Sequence, residues 1–168
     1  MTRGDRRGPL VVGVAVLRKH PGTTRRVSVA APIEELEVID SRVPRDSEVE
    51  VDVLVESVLG GVVVSGTVSA DWEGACRRCL EPARGRLVAK VRELYSDDAD
   101  PELSYSMTAD WLDLEPLAHD ACILELPLAP LCGPDCLGLC PVCAIPFAGA
   151  GPEHHHESAP DPRWEKLR

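Results

Sequence analysis

Alternating apolar and polar positions dominate the first hundred residues. From Glu48 to Ser57, Val49, Val51, Val53 and Val55 point one way, while Glu48, Glu50, Asp52 and Glu56 point mostly the other. A period of two marks a half-buried strand of an antiparallel sheet. Gly60-Gly61 supplies a turn, and the alternation resumes from Val62 to Glu73. There Val62, Val64, Val68, Ala70 and Trp72 share one face, and Ser65, Thr67, Ser69 and Asp71 share the other. Arg84 to Tyr95 reads as the returning strand, with Arg84, Arg86, Lys90 and Arg92 opposite Leu87, Ala89 and Val91. Upstream, the apolar run Leu10 to Leu17, the turn at Pro21-Gly22 and the extended stretch Arg25 to Ala30 read as a further β-hairpin.

The period then changes. Ser96 to Asp110 is acidic and polar and reads as a loop. Asp113 can cap a helix running to about Leu126, with Pro116 tolerated in its first turn. Leu114, Leu117, Ala118, Ala121 and Leu124 or Glu125 give that helix a partial apolar stripe, and Pro127 and Pro130 end it. The pattern predicts an α+β protein, mostly antiparallel β-sheet, with one main helix. Its expected organisation is a β-rich domain at 1–126 with the helix near 113–126, a cysteine element at 127–146, and a mobile Gly/Pro/His tail at 147–168. The tail ends in the anchor Asp161-Pro162-Arg163-Trp164. No internal repeat is found.

Composition fits one ordinary domain, or one domain with a small module: 168 residues, 44% hydrophobic. No apolar run approaches the ~18 residues needed to cross a bilayer, so no membrane partner is expected. The basic start MTRGDRRGPL lacks the apolar core and cleavage site of a secretory signal. A cytoplasmic location, and therefore reduced thiols, is the expectation.

A net charge of −10 argues against a generic nucleic-acid binder, but the charge is unevenly spread. Residues 1–26 hold seven Lys/Arg against Asp5, and residues 76–92 hold six against Glu81. Between Arg92 and Arg163 there is neither Lys nor Arg. One surface can therefore face phosphate while another repels it. Arg77, Arg78, Arg84, Arg86, Lys90 and Arg92 are the RNA-binding candidates. Their competing reading is cross-strand pairing with Glu48, Glu50, Asp52 and Glu56.

Seven cysteines carry the chemistry. Cys76 and Cys79 stand in ACRRCL, at the tip of the valine-rich hairpin, where a tight C-x-x-C turn suits a zinc knuckle. Cys132, Cys136, Cys140 and Cys143 stand in LCGPDCLGLCPVC, with Gly and Pro between them. Thiolates this close, in a reducing compartment, favour tetrahedral zinc over disulfides. Two geometries remain open: a local loop of the four downstream cysteines, or a bridged site joining Cys76 and Cys79 to two of those four. Such a metal would contribute folding energy directly. Cys122, on the helix, reads as a small buried hydrophobe. The run His154-His155-His156 could join a metal site, though the preferred reading is a solvated run. Trp72, Trp111 and Trp164 read as packing anchors. His119 beside Asp120 makes a weak pair, and no phosphate loop, serine triad or paired-carboxylate site is present, so an enzyme is not expected.

The order of these features resembles the YceD-like family, the large ribosomal RNA subunit accumulation proteins, in its high-GC Gram-positive form. The resemblance rests on Pro21-Gly22, on CRRCLEP at Cys76 to Pro82, on LPLAPLCGPDCLGLCPVC and on DPRWEKL at Asp161 to Leu167. It implies a non-enzymatic factor supporting 23S ribosomal RNA accumulation and large-subunit assembly. The implied partners are ribosomal RNA or a precursor large subunit, and a ribosomal protein. It also implies that Cys76, Cys79, Cys132, Cys136, Cys140 and Cys143 are the metal ligands. One departure stands out: Ala144 replaces the family's usual glycine, at a position that often needs left-handed backbone, so a distorted second knuckle is expected. Two other functions compete. One is a zinc-stabilised adaptor that docks a ribosomal protein without touching RNA. The other is a thiol redox switch.

Overall fold

The long valine-rich segments pair as an antiparallel meander. The computed structural model describes residues 8–156, apart from 101, 102, 109 and 152. The N-terminal arginines Arg3, Arg6 and Arg7 and the anchor at Asp161 to Trp164 lie outside the described residues. In chain order the elements are β1 (Val11–Gly13), α1 (Ala15–Arg18), β2 (Thr24–Ala31), β3 (Ser41–Arg42), β4 (Val49–Val58) and β5 (Gly61–Ala75). There follow β6 (Pro82–Ser96), β7 (Tyr105–Ser106), β8 (Trp111–Asp113) and α2 (Glu115–Glu125). The main sheet runs β2-β4-β5-β6-β7, with β3 paired to β5; β1 and β8 form a separate pair.

One face of this sheet is the core. Val49, Val51, Val53 and Val55 of β4 are buried, as are Val62, Val64, Val68 and Ala70 of β5 and Leu87, Ala89 and Tyr95 of β6. They pack with Leu112, Leu114, Leu117, Ala118, Ala121 and Cys122, so α2 lies across β5 and β6. The opposite face is open. Along it β4 offers Glu50 and Asp52, β5 offers Ser65, Thr67 and Ser69, and β6 offers Arg84, Arg86, Lys90 and Arg92.

Leu10 to Leu17 does not form a strand paired with Arg25 to Ala30. β2 pairs with β4 instead, and Val11–Gly13 pairs with Trp111–Asp113. The physical reason lies in which residues are buried. Leu10, Val14 and Leu17 go into the core at a spacing near the helical period, and Ala15–Arg18 make one helical turn. In α2, Leu114 occupies the N-cap position, and Asp113 Oδ1 accepts a hydrogen bond from the Glu115 N–H (3.0 Å). Cys122, not Leu124, completes the buried stripe; Leu124 is 83% exposed.

The feature that positions the site is the length of the β5–β6 hairpin. Each strand has 15 residues, about 50 Å of chain. Its base belongs to the main core. Its far end, from Trp72 to Ala83, belongs to a separate small core of Cys76, Cys79 and Ala83 with Leu131, Cys136 and Leu139 packed against them. Trp72 touches both cores.

Candidate metal centre

At the far end of the hairpin, residues 76–81 form a tight turn. The Cys76 N–H donates to the Glu81 carbonyl (2.8 Å), and the Leu80 N–H donates to the Cys76 carbonyl (2.8 Å). Leu80 takes a left-handed conformation, φ 65°. This closure leaves the Cys76 and Cys79 side chains pointing the same way, into the small core. The loop after α2 is tied to this turn at several points. The Arg77 N–H donates to the Pro130 carbonyl (3.0 Å), and the Arg78 guanidinium donates to the Cys136 carbonyl (2.9 Å). Ser41 Oγ donates to the Pro127 carbonyl (2.8 Å), fixing where that loop begins.

These ties bring four sulfurs together. Cys76 Sγ lies 3.7 Å from Cys136 Sγ, and Cys79 Sγ lies 3.5 Å from Cys132 Sγ. All four ligand atoms fall within 4.8 Å of one another. Tetrahedral coordination with bonds of ~2.3 Å requires sulfur separations of about 3.8 Å. The donor set and its spacing therefore fit one metal ion. The thiols are shifted in opposite senses. Burial pushes the Cys76 thiol up, but N–H groups of Cys132, Cys79 and Arg78 aim at it and outweigh this, leaving it at about 6. Hydrogen bonds with Cys79, Cys136 and Cys76 push Cys132 up to about 12. One thiolate is stabilised by its uncharged neighbours; a cation would let all four ionise.

Cys140 and Cys143 are not in this group. They form a second turn that repeats the first bond for bond. The Cys140 N–H donates to the Ile145 carbonyl (2.9 Å), the Ala144 N–H donates to the Cys140 carbonyl (2.8 Å), and Ala144 has φ 58°. The expected distortion at Ala144 is absent: alanine takes the left-handed conformation, and the turn closes as it does at Leu80. The other two members of this group are His154 and His156, whose Nε2 atoms lie 3.7 and 3.3 Å from Cys143 Sγ. The ligand atoms of Cys140, Cys143, His154 and His156 again fall within 4.8 Å. Hydrogen bonding to His154, then to the backbone of Cys143 and Val142, holds the Cys140 thiol down at about 6.

Two of the three histidines, His154 and His156, converge on Cys143, which fits the alternative reading that the run joins a metal site. His154 and His156, two apart, both reach Cys143 Sγ, whereas His155 Nδ1 turns back to the Glu153 carbonyl (2.7 Å). The available signal was the pair His154 and His156 eleven and thirteen residues beyond Cys143. Cys122 is fully buried in α2, and burial pushes its thiol up to about 11.

The six basic candidates occupy different environments. Arg86 donates to Glu50 (2.6 Å) and Asp71 (3.2 Å) and so makes cross-strand pairs. Arg78 is bound to the Cys136 carbonyl. Arg77, Arg84, Lys90 and Arg92 are exposed and form no ion pair among the described residues. Glu73, directly across from Arg84, is engaged by Arg42 (2.8 Å).

A sequence profile described as "Large ribosomal RNA subunit accumulation protein YceD" matches residues 64–168, well over half of the chain. The chain belongs to the YceD family. The match begins within β5 and takes in β6, α2 and all eight residues of the two metal-ligand groups. The relatives extend further. An uncharacterized protein of Mycobacterium bovis is 41% identical over 171 residues, covering 95% of this chain and 80% of that protein. An uncharacterized Mycobacterium tuberculosis protein matches equally well. One from Mycobacterium leprae is 32% identical over 174 residues, with 95% of this chain and 76% of that protein covered. No solved structure matches the chain. Among the described residues no helix is long and apolar enough to cross a membrane.

Proposed function

We propose that this YceD-family chain is a non-enzymatic ribosome-biogenesis factor acting in the cytoplasm. It supports 23S ribosomal RNA accumulation and assembly of the large subunit. A zinc ion at Cys76, Cys79, Cys132 and Cys136 holds the tip of its basic hairpin in shape. The observation that carries this reading is the family match over residues 64–168, which takes in most of the hairpin and both cysteine turns. The site chemistry supports it: four thiolates close a tetrahedral shell and leave no position for a reacting water, which is the mark of a structural ion. The open face of the sheet supports direct RNA contact, because Arg84, Lys90 and Arg92 are exposed there and form no ion pair among the described residues, with Lys90 and Arg92 opposite Thr67 and Ser65. The test is recovery of tagged full-length protein at low salt. Precursor large subunits and their RNA are expected to come with it. Recovery of neither, or 23S levels that are unchanged when the protein is removed, overturns the reading.

The adaptor reading keeps one specific observation. Glu50 and Asp71 hold Arg86, and Glu50 and Asp52 line the same open face, so a basic ribosomal protein could dock there. Charge reversal at Arg84, Lys90 and Arg92 separates the two: RNA retention that survives reversal favours the adaptor.

A further inference from the structure

We propose that Cys140, Cys143, His154 and His156 bind a second divalent metal ion, of the borderline class that zinc represents, separately from the four-cysteine site. Three independent observations converge. The first is the donor set: two thiols and two imidazoles, two ligands from a C-x-x-C turn and two from an H-x-H segment, the same mix of atoms that closed tetrahedral zinc sites use. The second is spacing. Tetrahedral bonds of ~2.3 Å to sulfur and ~2.05 Å to nitrogen require sulfur–nitrogen separations of about 3.5 Å. Cys143 Sγ lies 3.3 Å from His156 Nε2 and 3.7 Å from His154 Nε2. The third is the backbone. The Cys140 turn reproduces the hydrogen bonds of the Cys76 turn, and Ala144 accepts a left-handed conformation that a side chain disfavours. A metal-bound knuckle accounts for why a non-glycine residue holds that conformation.

The two sites are adjacent and unequal. Only Leu137, Gly138 and Leu139 separate Cys136 from Cys140. Gly138, at φ 80°, is packed so closely on the Arg78 carbonyl that a Cβ would lie 3.1 Å from it. The Phe147 N–H donates to the Gly138 carbonyl (2.9 Å), and the Phe147 ring meets His154 edge-on. The first knuckle thus shapes the segment that launches the second. The first site has two buried ligands, Cys76 and Cys79, and one exposed, Cys132; the second has one buried, Cys140, and two exposed, Cys143 and His156. The second ion is therefore the more exchangeable, and it ties the segment carrying His154 and His156 to the Cys140 turn.

The experiment is a Co²⁺ titration of the metal-free full-length chain under reducing conditions, read by absorption and by native mass spectrometry. Two ions per chain are expected. The double variant His154→Ala/His156→Ala should bind one, with the spectrum of a four-sulfur site, and Cys143→Ser should lose the same ion through a different ligand. A mild chelator should remove the second ion at least tenfold faster than the first. A wild-type chain that binds only one ion overturns the proposal, and so do variants that still bind two. Loss of the four-sulfur spectrum would count against the zinc part of the proposed function instead, so the two readings fail separately.

Discussion

The Sγ atoms of Cys79 and Cys132 lie 3.5 Å apart although 53 residues separate them in sequence. Between them run β6, the acidic loop and all of α2, so this contact joins the far end of the hairpin to the chain leaving the helix. The small core around it holds few apolar side chains: Trp72, Ala83, Leu131 and Leu139. Metal binding should therefore supply much of the local stability, about 2.7 kcal/mol when free metal stands at ~100 times its Kd. Stripping the metal should leave the main core intact. Amide exchange by mass spectrometry should then show roughly 100-fold lost protection in residues 74–83 and 128–140, with β4 and α2 unchanged. Equal loss throughout would mean that the two cores fold as one unit.

Ala144 at φ 58° carries the backbone cost of a left-handed residue, about 1 kcal/mol relative to glycine. Ala144→Gly should tighten metal binding at the second turn by about fivefold without changing the first. Leu80→Gly should do the converse at φ 65°. Competition titrations with a chromophoric chelator measure both. Weaker binding in Ala144→Gly would mean that added chain entropy outweighs the relief of strain.

The strands were legible because valines at every second position leave one face apolar, and β4, β5 and β6 follow that pattern closely. Leu10 to Leu17 was not. A continuous apolar run has no period, and only the burial of Leu10, Val14 and Leu17 reveals the helical turn. The partner of Val11, Asp113, lies a hundred residues away, and local pattern carries no information about such pairing. The cysteines showed the same limit. Spacing identified six thiols with ligand chemistry, but their grouping depends on where α2 delivers the chain. Three consecutive histidines hide their own geometry, since a run shows no face until the course of its backbone is known.

Cys122 sets a pH test away from the metal ligands. It is buried in α2, and burial holds its thiol up at about 11, against ~8.5 in the unfolded chain. A raised folded value stabilises the protein below the unfolded pKa and is lost as pH rises through the folded one. From pH ~8.5 to ~11 the unfolded state sheds this proton first, so stability falls, by at most about 1.4 kcal/mol per unit from this residue. Cys122→Ala should show a shallower alkaline decline than wild type in denaturant melts at stepped pH. Parallel curves would place the alkaline loss in Tyr95 and Tyr105 instead, both raised chiefly by burial.

The open sheet face separates cations that are free from one that is spent. Arg86 is held by Glu50 and Asp71, so its neutralisation should cost little stability, as with exposed pairs generally, and change RNA affinity little. Arg84, Lys90 and Arg92 form no ion pair among the described residues and project from the same face. If each meets a phosphate, replacing all three with Gln should lower the slope of log K against log salt by roughly 2 to 3. Because these side chains are exposed, thermal stability should stay within about 0.5 kcal/mol of wild type. Filter binding of large-subunit RNA across a salt series, with Arg86→Gln as the matched control, gives both slopes. An unchanged slope in the triple variant would show that this face does not touch phosphate. The basic contribution would then rest with Arg77 and Arg78 at the hairpin tip, where Arg78 already donates to the Cys136 carbonyl and Arg77 forms no ion pair among the described residues.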